Sequence, residues 1–103
     1  MLGHSHCGAI KGACANVELD HLSGLLQKIK PAVEAVNKKE SLTITPDDDS
    51  LVQKVADKNV QLTVEQISRK SPLLNAMVRS GEIGIVGAMY YIETGKVKFY
   101  SDV

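Results

Sequence analysis

Three side chains near the start of the chain, His4, His6 and Cys7, are of types that hold a transition metal or act as bases and nucleophiles. They stand in the run Gly3-His4-Ser5-His6-Cys7-Gly8-Ala9-Ile10-Lys11-Gly12-Ala13. Imidazole nitrogen and thiolate sulfur are both good zinc ligands. A His and a Cys three apart, followed by small residues, suit a tight turn that enters a helix, with His4 just before the turn and Cys7 in the first helical turn. The partial positive charge at a helix start favours thiolate over thiol, and thiolate is the form that binds zinc. Yet a tetrahedral site uses three or four protein ligands and this pair supplies two. A capped helix with a buried thiol fits the same spacing, because free cysteine is among the most buried residue types. Spacing alone leaves both readings open.

Other candidate ligands fare worse. His6 is the local substitute for a third ligand, but it is adjacent to Cys7 and two from His4, and convergence would strain the loop; exposure is the expectation. Cys14 lies seven residues beyond Cys7 on the same expected helix, about 10 Å along its axis, which excludes both a shared metal and an intrahelical disulfide. It reads as a small buried residue. His21 falls off the apolar stripe of its segment and reads as exposed. The run Asp47-Asp48-Asp49 lacks the spacing and terminal Glu of a calcium-binding loop and is explained by a helix start.

The elements that must position these residues can be read from periodicity. Cys7 to about Ala15 is a short helix, whose Gly8, Ala9, Gly12 and Ala13 keep it slim for close packing. Leu22, Leu25, Leu26, Ile29, Val33 and Val36 recur at three and four residues and predict an amphipathic helix from His21 to Lys38, with Asp20 as its cap. Pro31 either kinks that helix or starts a second one. Leu51 to about Lys70 is expected to be the longest helix, with Val52, Val55, Ala56, Val60, Thr63 and Ile67 near one face. Ser71-Pro72 then opens another, with Leu73, Leu74, Met77 and Val78 as its buried face and Gly81 as its stop. Ile83 to Ile92 is an almost unbroken apolar run, the pattern of a central strand covered on both faces. Its glycines allow close approach by helices. Glu93-Thr94-Gly95-Lys96 is a hairpin turn leading to an antiparallel edge strand, Val97 to Tyr100, with one face solvated. Met1-Leu2 is the end of a third strand.

Composition narrows the function classes. Twelve basic and twelve acidic residues cancel, so electrostatics favours neither nucleic acid nor an anionic membrane as partner. No apolar run approaches the roughly 20 residues of a membrane span. One Phe, three Tyr and no Trp leave the core to aliphatic side chains.

The run from Gly3 to Ala13 closely resembles the second zinc motif of the β-class carbonic anhydrases, in which a histidine and a cysteine three residues on bind the metal. The similarity continues through Leu22 to Val33, Val60 to Leu74 and Ile83 to Val97, nearly the whole chain. The family's other motif, Cys-x-Asp-x-Arg, which brings a second cysteine ligand and an Asp-Arg pair beside the metal, does not occur in the 103 residues. The resemblance therefore implies one partial domain over residues 1–103, the C-terminal half to two-thirds of such an enzyme. Its fold would be α/β: an incomplete three-layer arrangement of helices packed on a small sheet, with a C-terminal antiparallel edge hairpin.

The implied activity is that of a lyase, the reversible hydration of carbon dioxide to bicarbonate, in which zinc acidifies a bound water. His4 and Cys7 are the implied metal ligands, and the catalytic Asp-Arg pair has no counterpart. A homo-oligomer is implied, the compartment is left open with the cytoplasm as the expectation, and this chain alone is expected to bind zinc weakly or not at all and to be inactive. The alternative from a different class is a non-catalytic α/β remnant, an interaction or oligomerisation module without metal.

Overall fold

The computed structural model describes residues 1–16, 23–40 and 48–100; Asp20, His21, Leu22 and Asp47 lie outside the described residues. The element order is β1 (Leu2–His4), α1 (Gly8–Cys14), α2 (Ser23–Glu40), α3 (Asp49–Lys70), α4 (Pro72–Arg79), β2 (Ala88–Tyr91) and β3 (Lys96–Phe99). Helices built from adjacent segments therefore separate β1 from its partner, because β1 pairs in parallel with β2, Gly3 opposite Met89, and β2 pairs antiparallel with β3. The sheet order is β1-β2-β3. It is an α/β fold with a small sheet, as the sequence implies.

Each helix begins and ends where its chemistry dictates. The Asp48 carboxylate caps α3 by accepting from the Leu51 N–H at 3.2 Å, and the Ser71 hydroxyl caps α4 by accepting from the Leu74 N–H at 3.2 Å. Pro72 occupies the first position of α4, where a missing N–H costs nothing. Beyond α4, Glu82 N–H bonds to the Met77 carbonyl and Gly81 N–H to that of Val78, with Gly81 at φ 81° supplying the left-handed residue this stop requires. Asn16, at φ 55°, follows the C-cap of α1. Pro31 lies inside α2, which runs through it as one helix; its ring is exposed.

The core is aliphatic and centred on α3. Val55, Val60 and Met89 are fully buried, each contributing about 1.5–3 kcal/mol of transfer free energy. Ile10, Ala13, Leu26, Ile29, Ala32 and Val36 bring α1 and α2 onto α3 from the other side. Within α3 the buried face runs through Leu51, Val52, Val55, Ala56, Val60 and Val64; Thr63 and Ile67, assigned to it from the sequence, are half-buried.

Close packing of sheet on helix depends on two glycines. A Cβ on Gly3 would stand 2.7 Å from Val60 Cγ2 and 3.0 Å from Met89 Cε; one on Gly87 would stand 2.8 Å from Val60 Cγ1. Gly8 and Gly84 have nothing within 4 Å of such an atom and Gly12 meets only Leu26, at 3.7 Å. The slimness expected of α1 is thus not what brings backbones together; Gly3 and Gly87 do that, at the sheet.

Three further expectations are corrected. The central strand is four residues long rather than ten. Among the described residues, Ile83 to Gly87 carry no ladder of their own beyond the bonds from the Met1 amino group to the Val86 carbonyl and from Tyr100 N–H to the Gly87 carbonyl. Apolar content alone does not make a strand where no neighbour offers hydrogen bonds. α4 buries none of its residues completely and leaves Leu73 70% exposed, since it packs chiefly on α3. All four residues of β3 are exposed, so the edge is solvated on both sides.

Strand alternation places Gly3 and Met89 toward α3. Leu2, His4, Tyr90, Val97 and Phe99 point the other way, and all are exposed. Among the described residues the helices cover one face of the sheet, which is the incomplete form of a three-layer arrangement.

A phenol closes the end of the sheet over α3. Tyr100 O–H donates to Asp57 Oδ1, which also accepts from Gln53 Nε2 at 3.2 Å. Burial, followed by that hydrogen bond and the Asp57 charge, pushes the Tyr100 phenol well above the usual tyrosine range.

Two measurements test this packing. Gly87→Ala should lower the free energy of urea unfolding by about 1–3 kcal/mol through overpacking against Val60, whereas Gly12→Ala, with room for its methyl, should raise it by about 0.5–1 kcal/mol; equal effects would refute the close approach. The second is alkaline. Tyr100 keeps its proton in the folded state while the unfolded chain ionises near pH 10, so its contribution is complete below about pH 10 and is lost as pH rises toward the folded value. Unfolding curves should show stability falling above about pH 10, less steeply in Tyr100→Phe.

Candidate metal centre

β1 ends at His4, and Cys7 is the N-cap of α1, so the two sequence-predicted ligands flank a two-residue turn made of Ser5 and His6. β1 is held in place by its pairing with β2 and by the seat of Gly3 against Val60. Its last residue therefore has a fixed backbone. His6 adopts φ 51°, a left-handed conformation that non-glycine residues take at a cost. That residue reverses the chain so that α1 can start.

The His4 ring has a defined hydrogen bond. Nδ1 lies 2.9 Å from the Ser5 carbonyl oxygen. An acceptor there requires Nδ1 to carry the proton, which leaves the Nε2 lone pair for a metal. A backbone carbonyl holding the second nitrogen is the usual arrangement behind a metal-binding histidine. The His4 side chain is exposed, Cys7 is half-buried, and its thiol is free. This donor set, one imidazole nitrogen and one thiol, fits zinc as far as it goes. Among the described residues no cluster of three or more His, Cys, Asp and Glu forms that could hold a metal.

His6 does not join the pair. Its Nε2 lies 2.9 Å from Glu93 Oε2, and the side chain is half exposed, in keeping with the exposure expected from the sequence. Cys14 is buried on α1, its thiol pushed up by that burial, and it too is free. A neutral buried thiol is inert.

The residues that sequence reasoning missed are Ser5 and Glu93. Ser5 is 3% exposed, the one buried polar residue among those described. Its Oγ donates to Glu93 Oε2 at 3.0 Å and accepts from Ile92 N–H at 3.0 Å, while its own N–H donates to the Tyr90 carbonyl at 2.9 Å. Ser5 lies inside the His-x-x-Cys run, and small polar residues in turns are a general signal for such bonds. Glu93 is 88 positions away and carries no signal in the sequence beyond membership of a turn.

Comparison with known proteins bears on the family and the fold. The family model described as carbonic anhydrase matches residues 1–97. Among solved structures, the β-carbonic anhydrase CcaA superposes with a TM-score of 0.80 at 24% identity, covering 96% of this chain and 44% of that one. The β-carbonic anhydrase CafA of the fungal pathogen Aspergillus fumigatus gives 0.79 at 24% identity, with 99% and 47% covered. The tetrameric β-carbonic anhydrases of the filamentous ascomycete Sordaria macrospora give 0.78 at 20% identity, with 97% and 50% covered. The chain spans half or less of the length of these structures. No curated protein sequence matches significantly. Among the described residues no helix is long and apolar enough to cross a membrane. The model match over nearly the whole chain, together with the shared fold, shows that this chain belongs to the β-class carbonic anhydrase family.

Proposed function

We propose that this chain is one portion of a zinc-dependent β-class carbonic anhydrase, a single partial domain over residues 1–103, with His4 and Cys7 as two of the metal's protein ligands. The observation that carries the proposal is the ligand-bearing turn: His4 offers Nε2 because Nδ1 is committed to the Ser5 carbonyl, and Cys7, half-buried at the N-cap of α1, offers a free thiol across the two-residue turn. Zinc held there would lower the pKa of a water, so that hydroxide is available near neutral pH as the nucleophile toward carbon dioxide. The chain's own part is to hold the imidazole in one tautomer and to fix the backbone between the two ligands. Bicarbonate and carbon dioxide are the substrates of this reading, and its setting is a cytoplasmic homo-oligomer, with the exposed sheet face and strand edges as the surfaces to be covered.

A two-ligand site is weak. The chain alone is accordingly read as inactive, with the remaining ligands and the Asp-Arg pair supplied by further polypeptide. One observation favours a second reading, a metal-free scaffold: among the described residues nothing joins His4 and Cys7 as a third ligand.

Supplying the missing motif tests both. A fusion that places a family segment carrying Cys-x-Asp-x-Arg ahead of Met1 should take up zinc near-stoichiometrically and hydrate carbon dioxide, because affinity rises steeply when a third protein ligand is preorganised. His4→Ala in the fusion should abolish both gains. A folded fusion that binds zinc without hydration activity would defeat the enzyme reading, and one that binds no zinc would establish the scaffold.

A further inference from the structure

We propose that Glu93 is a positioning residue for the metal centre, clamping from the opposite hairpin the turn that carries the two ligands. The inference rests on the reading of His4 and Cys7 as ligands. Exactly two residues separate those ligands, and the side chains of both end on one carboxylate oxygen: Ser5 Oγ donates to Glu93 Oε2 at 3.0 Å, and His6 Nε2 stands 2.9 Å from the same atom. Ser5 is further tied by its backbone to Tyr90 and by its hydroxyl to Ile92, so with Glu93 it is fastened at three points, one in β2 and two in the turn that follows. His6 is different. Its left-handed backbone is a conformation that relaxes unless something holds it, and the ring's bond to Glu93 is the contact that holds the side chain to the rest of the fold.

The chemistry selects the clamp. Both partners approach Oε2 as donors, the serine through O–H and the imidazole through N–H, and a carboxylate oxygen accepts both. Glutamine retains an oxygen with two lone pairs at the same reach; alanine retains none, and aspartate is one methylene short. With the clamp gone, the turn keeps its serine bonds to β2 but loses the hold on His6, and with it the spacing between the His4 ring and the Cys7 sulfur. Losing an outer partner of this kind typically lowers metal affinity 10–100-fold.

The test is titration of the intact chain with Cd2+, a soft cation whose bond to a thiolate is seen directly as a charge-transfer absorbance, alongside thermal unfolding of each variant. Glu93→Ala should bind Cd2+ at least about tenfold more weakly than the unchanged chain, and Glu93→Gln should recover most of that loss. Thr94→Ala serves as the structural control. It removes the hydroxyl that accepts from Lys96 N–H at 3.3 Å in the same hairpin, and so weakens the turn without touching Ser5 or His6. Its Cd2+ affinity should stay at the unchanged value even where its melting temperature falls. Glu93 is itself exposed, so its variants are expected to fold; if Glu93→Ala does not, Glu93→Asp should show the same loss of affinity. Equal affinity in Glu93→Ala and the unchanged chain, with Cys7→Ser abolishing the absorbance, would overturn the clamp and leave the ligand assignment intact. A loss in Thr94→Ala as large as in Glu93→Ala would also overturn it, by reducing Glu93 to general hairpin stability. No thiolate absorbance from the unchanged chain at Cd2+ concentrations high enough to fill even a two-ligand thiolate site would refute the ligand assignment and the clamp together.

Discussion

Val60 is wedged between two glycines, and the geometry of the sheet depends on that fit. Its two methyl groups occupy the space that Cβ atoms on Gly3 and Gly87 would need, so β1 and the strand beside it lie directly on α3 with backbone rather than side chain at the contact. Interiors are packed at crystal-like density, and a methyl-sized error at such a place shifts whatever rests on it. What rests on it here is His4, one residue beyond Gly3. The position of the imidazole is therefore set by an aliphatic contact on the opposite side of the strand, in a part of the core that has no chemistry of its own.

From that seat the ligand-bearing turn is built outward by hydrogen bonds. Ser5 is buried because it completes the pairing of β1 with β2 where the parallel ladder ends, using a hydroxyl to reach Ile92 after its backbone has reached Tyr90. A burial this complete is affordable for a polar side chain only because both its donor and its acceptor capacity are used. Glu93 then extends the hold to His6. Apolar packing fixes the strand, backbone bonds fix its end, and a carboxylate fixes the reversal that follows. Each step narrows the freedom left to the two candidate ligands, His4 and Cys7.

The helices were legible in the sequence because their signals are local. Caps at Asp48 and Ser71, the stop at Gly81 and the three- and four-residue recurrence in α2 and α3 are all set by neighbours within a turn or two. His4 and Cys7 stand out locally for the same reason, three apart, but the spacing fits a buried, capped thiol equally well, and it is the resemblance to a family motif that makes them candidate ligands. The failures are non-local. Ile83 to Gly87 have the composition of a strand, but ladder formation needs a partner, and whether one is present is not written in the segment itself. The buried face assigned to α4 failed likewise, because amphipathic spacing shows which side of a helix would be buried and not whether anything covers it. Gly3, Gly87 and Glu93 matter through contacts with residues tens of positions away, and each looks ordinary in its own neighbourhood.

The pairing of Leu2–His4 with Ala88–Tyr91 also orders events in time. β1 is made before the four helices, and β2, its ladder partner among the described residues, is made after them. Helical turns form from contacts close in sequence and are fast, while a parallel pairing across more than eighty residues must first meet the entropy of closing that loop. The strand that carries His4 therefore cannot pair with β2 until the four helices have been made, and the turn after it, whose anchors Tyr90, Ile92 and Glu93 lie beyond α4, is set later than the helices. The turn between His4 and Cys7 is consequently held only once the β2–β3 hairpin exists: a chain interrupted before it carries both residues without the bonds to Tyr90, Ile92 and Glu93 that fix the turn.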